Sequence, residues 1–383
     1  MLLPAERHIM RDFINNLDMY KSYKIKILSF FLFVTMNESF FCNNGKDNHE
    51  TVNKIQECDS KPNNNKNNMI KTFSCKVTRG VPLPKEEDRG GHIGGIVENK
   101  IIVSGGNRWS EDKTQKFFLN NTLIFDGRQW IEGPSLPIPM AYSMFACDHS
   151  GLYVAGGTSD GITMLKEVYV LRSIQKGKKW ERLPDLPEAI GFGAGTILKD
   201  KFYIAGGVLN NGEKTNKMWT LDLNDLESGW SESISIPGKA RYLQAMTTVG
   251  EHLYIIGGLT ETSPLSPLNE VYIYDYDENM WEKLMDLPLK GYAWTAQPID
   301  NTSILITGRA DGQVHPDIWI VDLVTMTMDK VGDLIIQSAT SPLIKVTDCQ
   351  WWVVGGEPDS NKNRTREISI INLINEEYEN DKQ

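Results

Sequence analysis

The chain has 383 residues, 40% of them hydrophobic, and a formal net charge of −10. Nucleic acid and anionic membrane both demand a basic face, so this balance argues against either as the main partner. Ten Trp, 13 Tyr and 13 Phe are enough for a sizeable core, and the five cysteines form no C-x-x-C pair, so the chain lacks a zinc-site pattern.

In chain order, the first feature is "MYKSYKIKILSFFLFVTMNESFFC", residues 19–42. Three lysines precede an apolar run from Ile27 to Val34, too short to span a bilayer and laid out as a secretory leader. Residues 1–42 are therefore expected to be a leader, with Met19 an alternative start, and the chain to be exported. Cys42 follows "ESFF", a poor match to a lipobox, yet the polar "NNGKDN" after it suits a lipid tether at that cysteine. Residues 43–75 include "KPNNNKNN" and too little apolar surface to order themselves, so a disordered linker is expected there.

From residue 76 onward the chain repeats. Strand-like runs ending in glycine recur at Gly105–Gly106, Gly156–Gly157, Gly206–Gly207, Gly257–Gly258, Thr307–Gly308 and Gly355–Gly356. Their first positions lie 51, 50, 51, 50 and 48 apart. Trp130, Trp180, Trp230 and Trp281 keep the same period, each followed by a Pro-containing turn such as "PDLP". Alternating runs such as "NEVYIYD" precede the tryptophans, which is half-buried strand chemistry. Six units of four short strands cannot each bury their own faces, but stacked radially they bury one continuous core.

The Gly-Gly and Trp tracks resemble the kelch repeat. The resemblance implies an all-β, six-bladed β-propeller of four-stranded blades over residues 76–383. "VTRGVPLP" (77–84) precedes the first unit and is expected to join C-terminal strands in the last blade, closing the ring. The fifth unit departs from the pattern, with Thr307 for a glycine and Met328 in the Trp register. The sixth has Tyr378 in that register.

Antiparallel strands put the loops after the second and fourth strand of every blade on one face. That face is expected to gather Arg89, His92, Asn107, Arg108, Trp109 and Tyr142. Later blades add Arg241, Tyr242, Tyr292, Trp294, Arg309, Asp311 and His315, then Glu357 and Arg364. Arginines grip carboxylates and aromatic faces take the apolar side of a sugar, so the face suits a small acidic ligand. A charged residue after a Gly pair is equally what a solvated loop carries, and the two histidines lack metal-ligand spacing.

Several stretches are similar to the N-acetylneuraminate epimerase (sialic acid mutarotase) family, in its cyclically permuted branch. They are "GGHIGGIVENKIIVSGGNRW", "PMAYS", "WERLPDLPEAIGFGAGTILKDKFYIAGG" and "GGEPDSNKNRT". The resemblance implies a sialic acid substrate and no cofactor, with Glu357 and Arg364 as the functional pair and Arg366 as an alternative arginine. Glu357 would move a proton during ring opening, and Arg364 would hold the sugar carboxylate. Arg89, His92, Asn107, Arg108, Tyr142, Arg241, Tyr292 and Arg309 are the expected binding residues. The rival reading is a non-catalytic propeller that binds a glycan or protein on the same face. A copper oxidase built on the same architecture would need a Cys near a Tyr and two His, and no His pair accompanies Tyr142 and Cys147.

Overall fold

A computed structural model of the chain describes residues 70–378, with side chains described over 73–374. The expected leader, with Cys42, and most of the expected linker lie outside the described residues. Six four-stranded antiparallel blades follow one another. The first is made of Ile93–Val97, Lys100–Ser104, Thr122–Phe125 and Trp130–Glu132. The fifth, despite its broken pattern, keeps the same order with Thr295–Pro298, Ser303–Thr307, Asp317–Asp322 and Thr327–Asp333.

The sixth blade closes the ring. Leu343–Thr347, Gln350–Gly356 and Thr365–Tyr378 supply its inner three strands, and Ile70–Arg79 is the outermost, antiparallel from Ile70 opposite Tyr378 to Arg79 opposite Ser369. This strand starts ahead of the expected boundary at residue 76. Tyr378 therefore ends the third strand of its blade instead of filling the Trp position. Phe73, Cys75 and Val77 of the N-terminal strand pack against the outer core there.

The interior is divided into six apolar clusters, one between each pair of neighbouring blades. The repeated tryptophans brace these seams. Trp180 Nε1 donates to the Pro134 carbonyl at 2.8 Å, Trp230 to Pro184 at 2.9 Å and Trp281 to Ile234 at 3.1 Å, each reaching back one blade. Trp130 does the same to Val81 at 2.9 Å, on the segment leaving the closing strand. An indole fills the gap with apolar area while its one donor finds a backbone acceptor, which explains why Trp recurs there. In the fifth blade Met328 packs into the same kind of seam without that bond. Cys75 and Cys147 are free, and Cys349 is disulfide-bonded.

Candidate functional site

Where each blade begins, one residue adopts a left-handed backbone. These are Gly91, Tyr142, Phe192, Leu243, Ala293 and Thr340, with φ between 52° and 62°. Most are not glycine, so the conformation is strained and needs support. Backbone bonds supply it. Tyr142 N–H donates to Gly91 O at 2.7 Å, Phe192 to Tyr142 at 2.8 Å, Leu243 to Phe192 at 2.7 Å, Ala293 to Leu243 at 2.7 Å, and Gly91 to Thr340 at 2.9 Å. The resulting belt rims an axial cavity of about 790 Å³, and all six residues line it.

A second tier sits beside the belt. Single antiparallel bridges join Gly90 to Asn107, Ala141 to Thr158, Tyr242 to Leu259, Tyr292 to Ala310 and Ala339 to Glu357, and in the third blade Gly191 pairs with Val208. Asn107, Thr158, Val208, Leu259, Ala310 and Glu357 thus hold one equivalent place in the six blades. The sixth, first and second blades present Glu357, Asn107 and Thr158, whereas the third to fifth present Val208, Leu259 and Ala310. The tier is two-sided, with a polar arc at the ring closure and an apolar arc opposite; Glu357 and Val208 are its partly exposed members, and the other four are buried.

Glu357 is the acidic centre of the polar arc, its side chain 20% exposed. Its Oε1 accepts the Tyr142 hydroxyl at 2.7 Å and lies 3.4 Å from Arg364 Nη2. Arg364 gives Nε and Nη2 to Asn107 Oδ1 at 3.2 and 2.8 Å, and Nη1 to the Asn363 carbonyl at 2.8 Å. Asn107 in turn donates Nδ2 to Gly90 O at 2.9 Å. Gly90 is required by this closeness: a Cβ there would stand 2.6 Å from Glu357 Cγ and 2.9 Å from Arg364 Cδ. Burial, aided by the Glu357 carboxylate, raises the pKa of Tyr142 and keeps its proton on the phenol. Its ring stacks on Phe192 with centroids 4.6 Å apart.

Of the two alternative arginines, Arg364 meets Glu357, while Arg366 donates to the Leu83 carbonyl at 3.0 Å. Arg89 and Arg241 do not serve the mouth. Both are 0% exposed. Arg89 is bound by Glu87, Asn121 and the Gly105 carbonyl; Arg241 by Glu270 at 2.8 Å and the Gly257 carbonyl at 3.2 Å. Each holds the carbonyl of a first glycine in place, since a buried guanidinium must spend its donors on partners. Arg309 is held by Asp311 at 2.5 Å, and Asp311 also meets His315 Nε2 at 2.8 Å. Arg108 lies over the Phe117 ring at 5.1 Å.

His92 is 3% exposed, with neither ring nitrogen hydrogen-bonded in good geometry among the described residues. Burial first, and the Arg89 cation second, push its pKa down to about 3, against a weak opposing effect of the Val354 backbone. It is a neutral packing group beside the cavity. Tyr292 stays partly open, and burial together with the nearby Asp311 and Glu357 carboxylates raises its pKa, which places it within the electrostatic reach of the site.

Sequence reasoning passed over Lys116. It stands in a short hairpin, Asn107–Trp109 paired with Lys116–Phe118, with Trp109 opposite Lys116. Its ammonium lies 5.1 Å from the Tyr142 ring centroid. The hairpin lies inside the 51-residue first unit, in the loop between the second and third strands of its blade, and only a basic residue before "FF" signalled it.

Among curated proteins, the N-acetylneuraminate epimerase of Vibrio cholerae is 29% identical over 161 residues, covering 36% of this chain and 41% of that protein. N-acetylneuraminate epimerase 1 of Escherichia coli is 32% identical over 134 residues, 34% of this chain and 35% of the relative. β-Scruin of Limulus polyphemus is 28% identical over 218 residues, 54% of this chain and 23% of the relative. The chain thus spans less than half the length of each of these relatives. The solved structure of YjhT superposes with a TM-score of 0.61 at 16% identity, over 77% of this chain and 99% of that one, and supports the fold. The family profile "KLHDC2/KLHL20/DRC7 Kelch-repeats domain" matches residues 91–287 and 193–382. With six four-stranded blades and a profile match over most of its length, the chain belongs to the Kelch-repeat family and is distantly related to the sialic acid epimerases.

Proposed function

We propose that the mouth binds an acidic sugar and interconverts the anomers of N-acetylneuraminate. The observation that carries this reading is Glu357. Its carboxylate is fixed through Oε1 by Tyr142 and Arg364, and among the described residues nothing donates to its Oε2. A carboxylate aimed with one oxygen free is suited to take the proton of an anomeric hydroxyl. As the proton leaves, the ring oxygen is protonated by water and the carbon–oxygen ring bond opens to the ketone. Rotation and reclosure on the opposite face reverse both transfers. A positioned general base is worth roughly a hundred- to ten-thousand-fold in rate. Val208 of the apolar arc and Tyr292 beside it are partly exposed and offer the kind of surface that the carbon face of a pyranose seeks. Similarity to the curated epimerases supports the same substrate class.

The test is proton NMR of freshly released α-N-acetylneuraminate at pH 5–6, with and without the protein. Acceleration that disappears in Glu357→Gln is expected. Binding without acceleration in the wild type would replace this reading with a glycan-binding propeller.

A further inference from the structure

Resting on that reading, we propose that Lys116, and not Arg364, is the group that takes the carboxylate of the sugar. Arg364 is poorly placed for the task. Its side chain is 4% exposed, and Nε, Nη1 and Nη2 are all engaged, by Asn107, Asn363 and the edge of Glu357. A single Nη1 N–H is left over, on a side chain with almost no surface to offer an incoming anion. Lys116 is the opposite case. Its Nζ lies 5.1 Å from the ring of Phe118, 5.1 Å from that of Tyr142 and 5.8 Å from that of Trp109. Among the described residues no carboxylate stands within 4.0 Å of it. Ring faces orient an ammonium without cancelling its charge. The hydrogen-bonding capacity of this group is therefore still available to a ligand, beside a glutamate on the same tyrosine. Tyr142 carries Glu357 on its hydroxyl and Lys116 over its ring.

The surroundings agree. Burial and the positive Arg364 lower the pKa of Lys116, while Glu357 raises it, so the amine sits within the field of both site residues. Lys362 lies 4.4 Å from the Trp109 ring centroid and donates to the Lys113 carbonyl at 3.3 Å. Lys116, Lys362 and Arg364 thus gather positive charge around Glu357, with Asp359 beside Lys113 and Asp88 towards Arg364 as the facing carboxylates, on a chain whose net charge is −10. An acidic ligand needs such a local gathering to overcome the overall field.

The experiment compares N-acetylneuraminate with its methyl ester, by calorimetric titration at neutral pH, on the full chain and on K116M and K116R. The wild type is expected to bind the acid at least ten times more tightly than the ester. K116M should bind the acid no better than the ester while keeping the ester affinity of the wild type, which shows an intact mouth. K116R should restore part of the preference. A preference for the acid that persists in K116M overturns the assignment and leaves the sugar reading standing, as does a wild type blind to the difference. Loss of ester binding in K116M makes the lysine a packing residue and also overturns it. A wild type that binds neither sugar removes the sugar reading and this assignment together.

Discussion

The Tyr142 hydroxyl reaches Glu357 Oε1 across 2.7 Å although 215 residues separate them in the chain. The bond ties the second blade to the sixth over the top of the first, and it depends on the left-handed backbone at Tyr142, φ 54°. Tyr142→Phe keeps the stack on Phe192 and the ring face under Lys116, and removes only the hydroxyl. A lost hydrogen bond to a charged group amounts to about 1.5–3 kcal/mol. The expected outcome is a roughly ten- to hundredfold fall in the mutarotation rate with little change in KM, read by NMR kinetics over a range of sugar concentrations. A change confined to KM would make the hydroxyl a binding group.

Arg241 separates stability from function. It has no exposed surface and bridges Glu270 and the Gly257 carbonyl. Arg241→Met leaves Glu270 without its partner and the carbonyl without a donor. Breaking a buried pair costs about 3 kcal/mol at the low end of the range, which applies because Glu270 keeps part of its surface in water. Thermal unfolding should fall by several degrees while the KM of the folded fraction is unchanged. A raised KM with an unchanged melting temperature would return this arginine to the ligand site.

His92 makes a prediction about acid. Its folded pKa of about 3 is below the ordinary 6.5. Between those values the unfolded chain binds a proton that the folded chain refuses, so folding stability falls as pH drops from 6.5 towards 3. The slope from this one group approaches 1.4 kcal/mol per pH unit, on the order of a tenfold change in the folding equilibrium. Gln244, which like His92 follows its blade's belt residue, donates Nε2 to the Ala205 carbonyl at 2.6 Å. His92→Gln offers the Val354 carbonyl the same donor without a titrating group. Urea midpoints measured from pH 7 to pH 4 should decline less steeply in this variant. An identical decline in both proteins would assign the acid sensitivity to other groups.

The blades were legible because their signals are periodic. The Gly pairs and tryptophans recur every fifty residues or so, and each performs the same local task wherever it stands: a left-handed backbone at the glycines, an indole bond to the previous blade at Trp130, Trp180, Trp230 and Trp281. The site was legible only in part. Glu357 and Arg364 follow a Gly pair as any solvated loop charge does, and it was the resemblance of "GGEPDSNKNRT" to the epimerase family that named them together. Arg89 and Arg241 look the same in sequence as mouth arginines, yet their neighbours Glu87 and Glu270 draw them inward. Nothing in a loop sequence tells a solvated guanidinium from one spent on carbonyls. Lys116 was invisible for another reason: its aromatic contacts include Tyr142 from the next blade, and its electrostatic partners come from the far end of the chain.

Closure of the ring can be tested on the strand Ile70–Arg79. It forms a continuous antiparallel ladder with Thr365–Tyr378, and Phe73, Cys75 and Val77 reach into the core between the fifth and sixth blades. A chain beginning at Gly80 would leave Thr365–Tyr378 as a long unpaired edge and uncover that core. Such edges recruit other strands. The expected result is a lower and less cooperative thermal transition with oligomers on size exclusion. A synthetic peptide of residues 70–79 should reverse both by pairing with the free edge. The same strand carries the chain to Val81, which accepts from Trp130, and then to Gly90 beneath Glu357 and Arg364. Loss of the strand should therefore also loosen the polar arc and weaken sugar binding, and the peptide should restore it. A truncated protein that melts and binds like the full chain would mean that the six blades hold their ring without this closure.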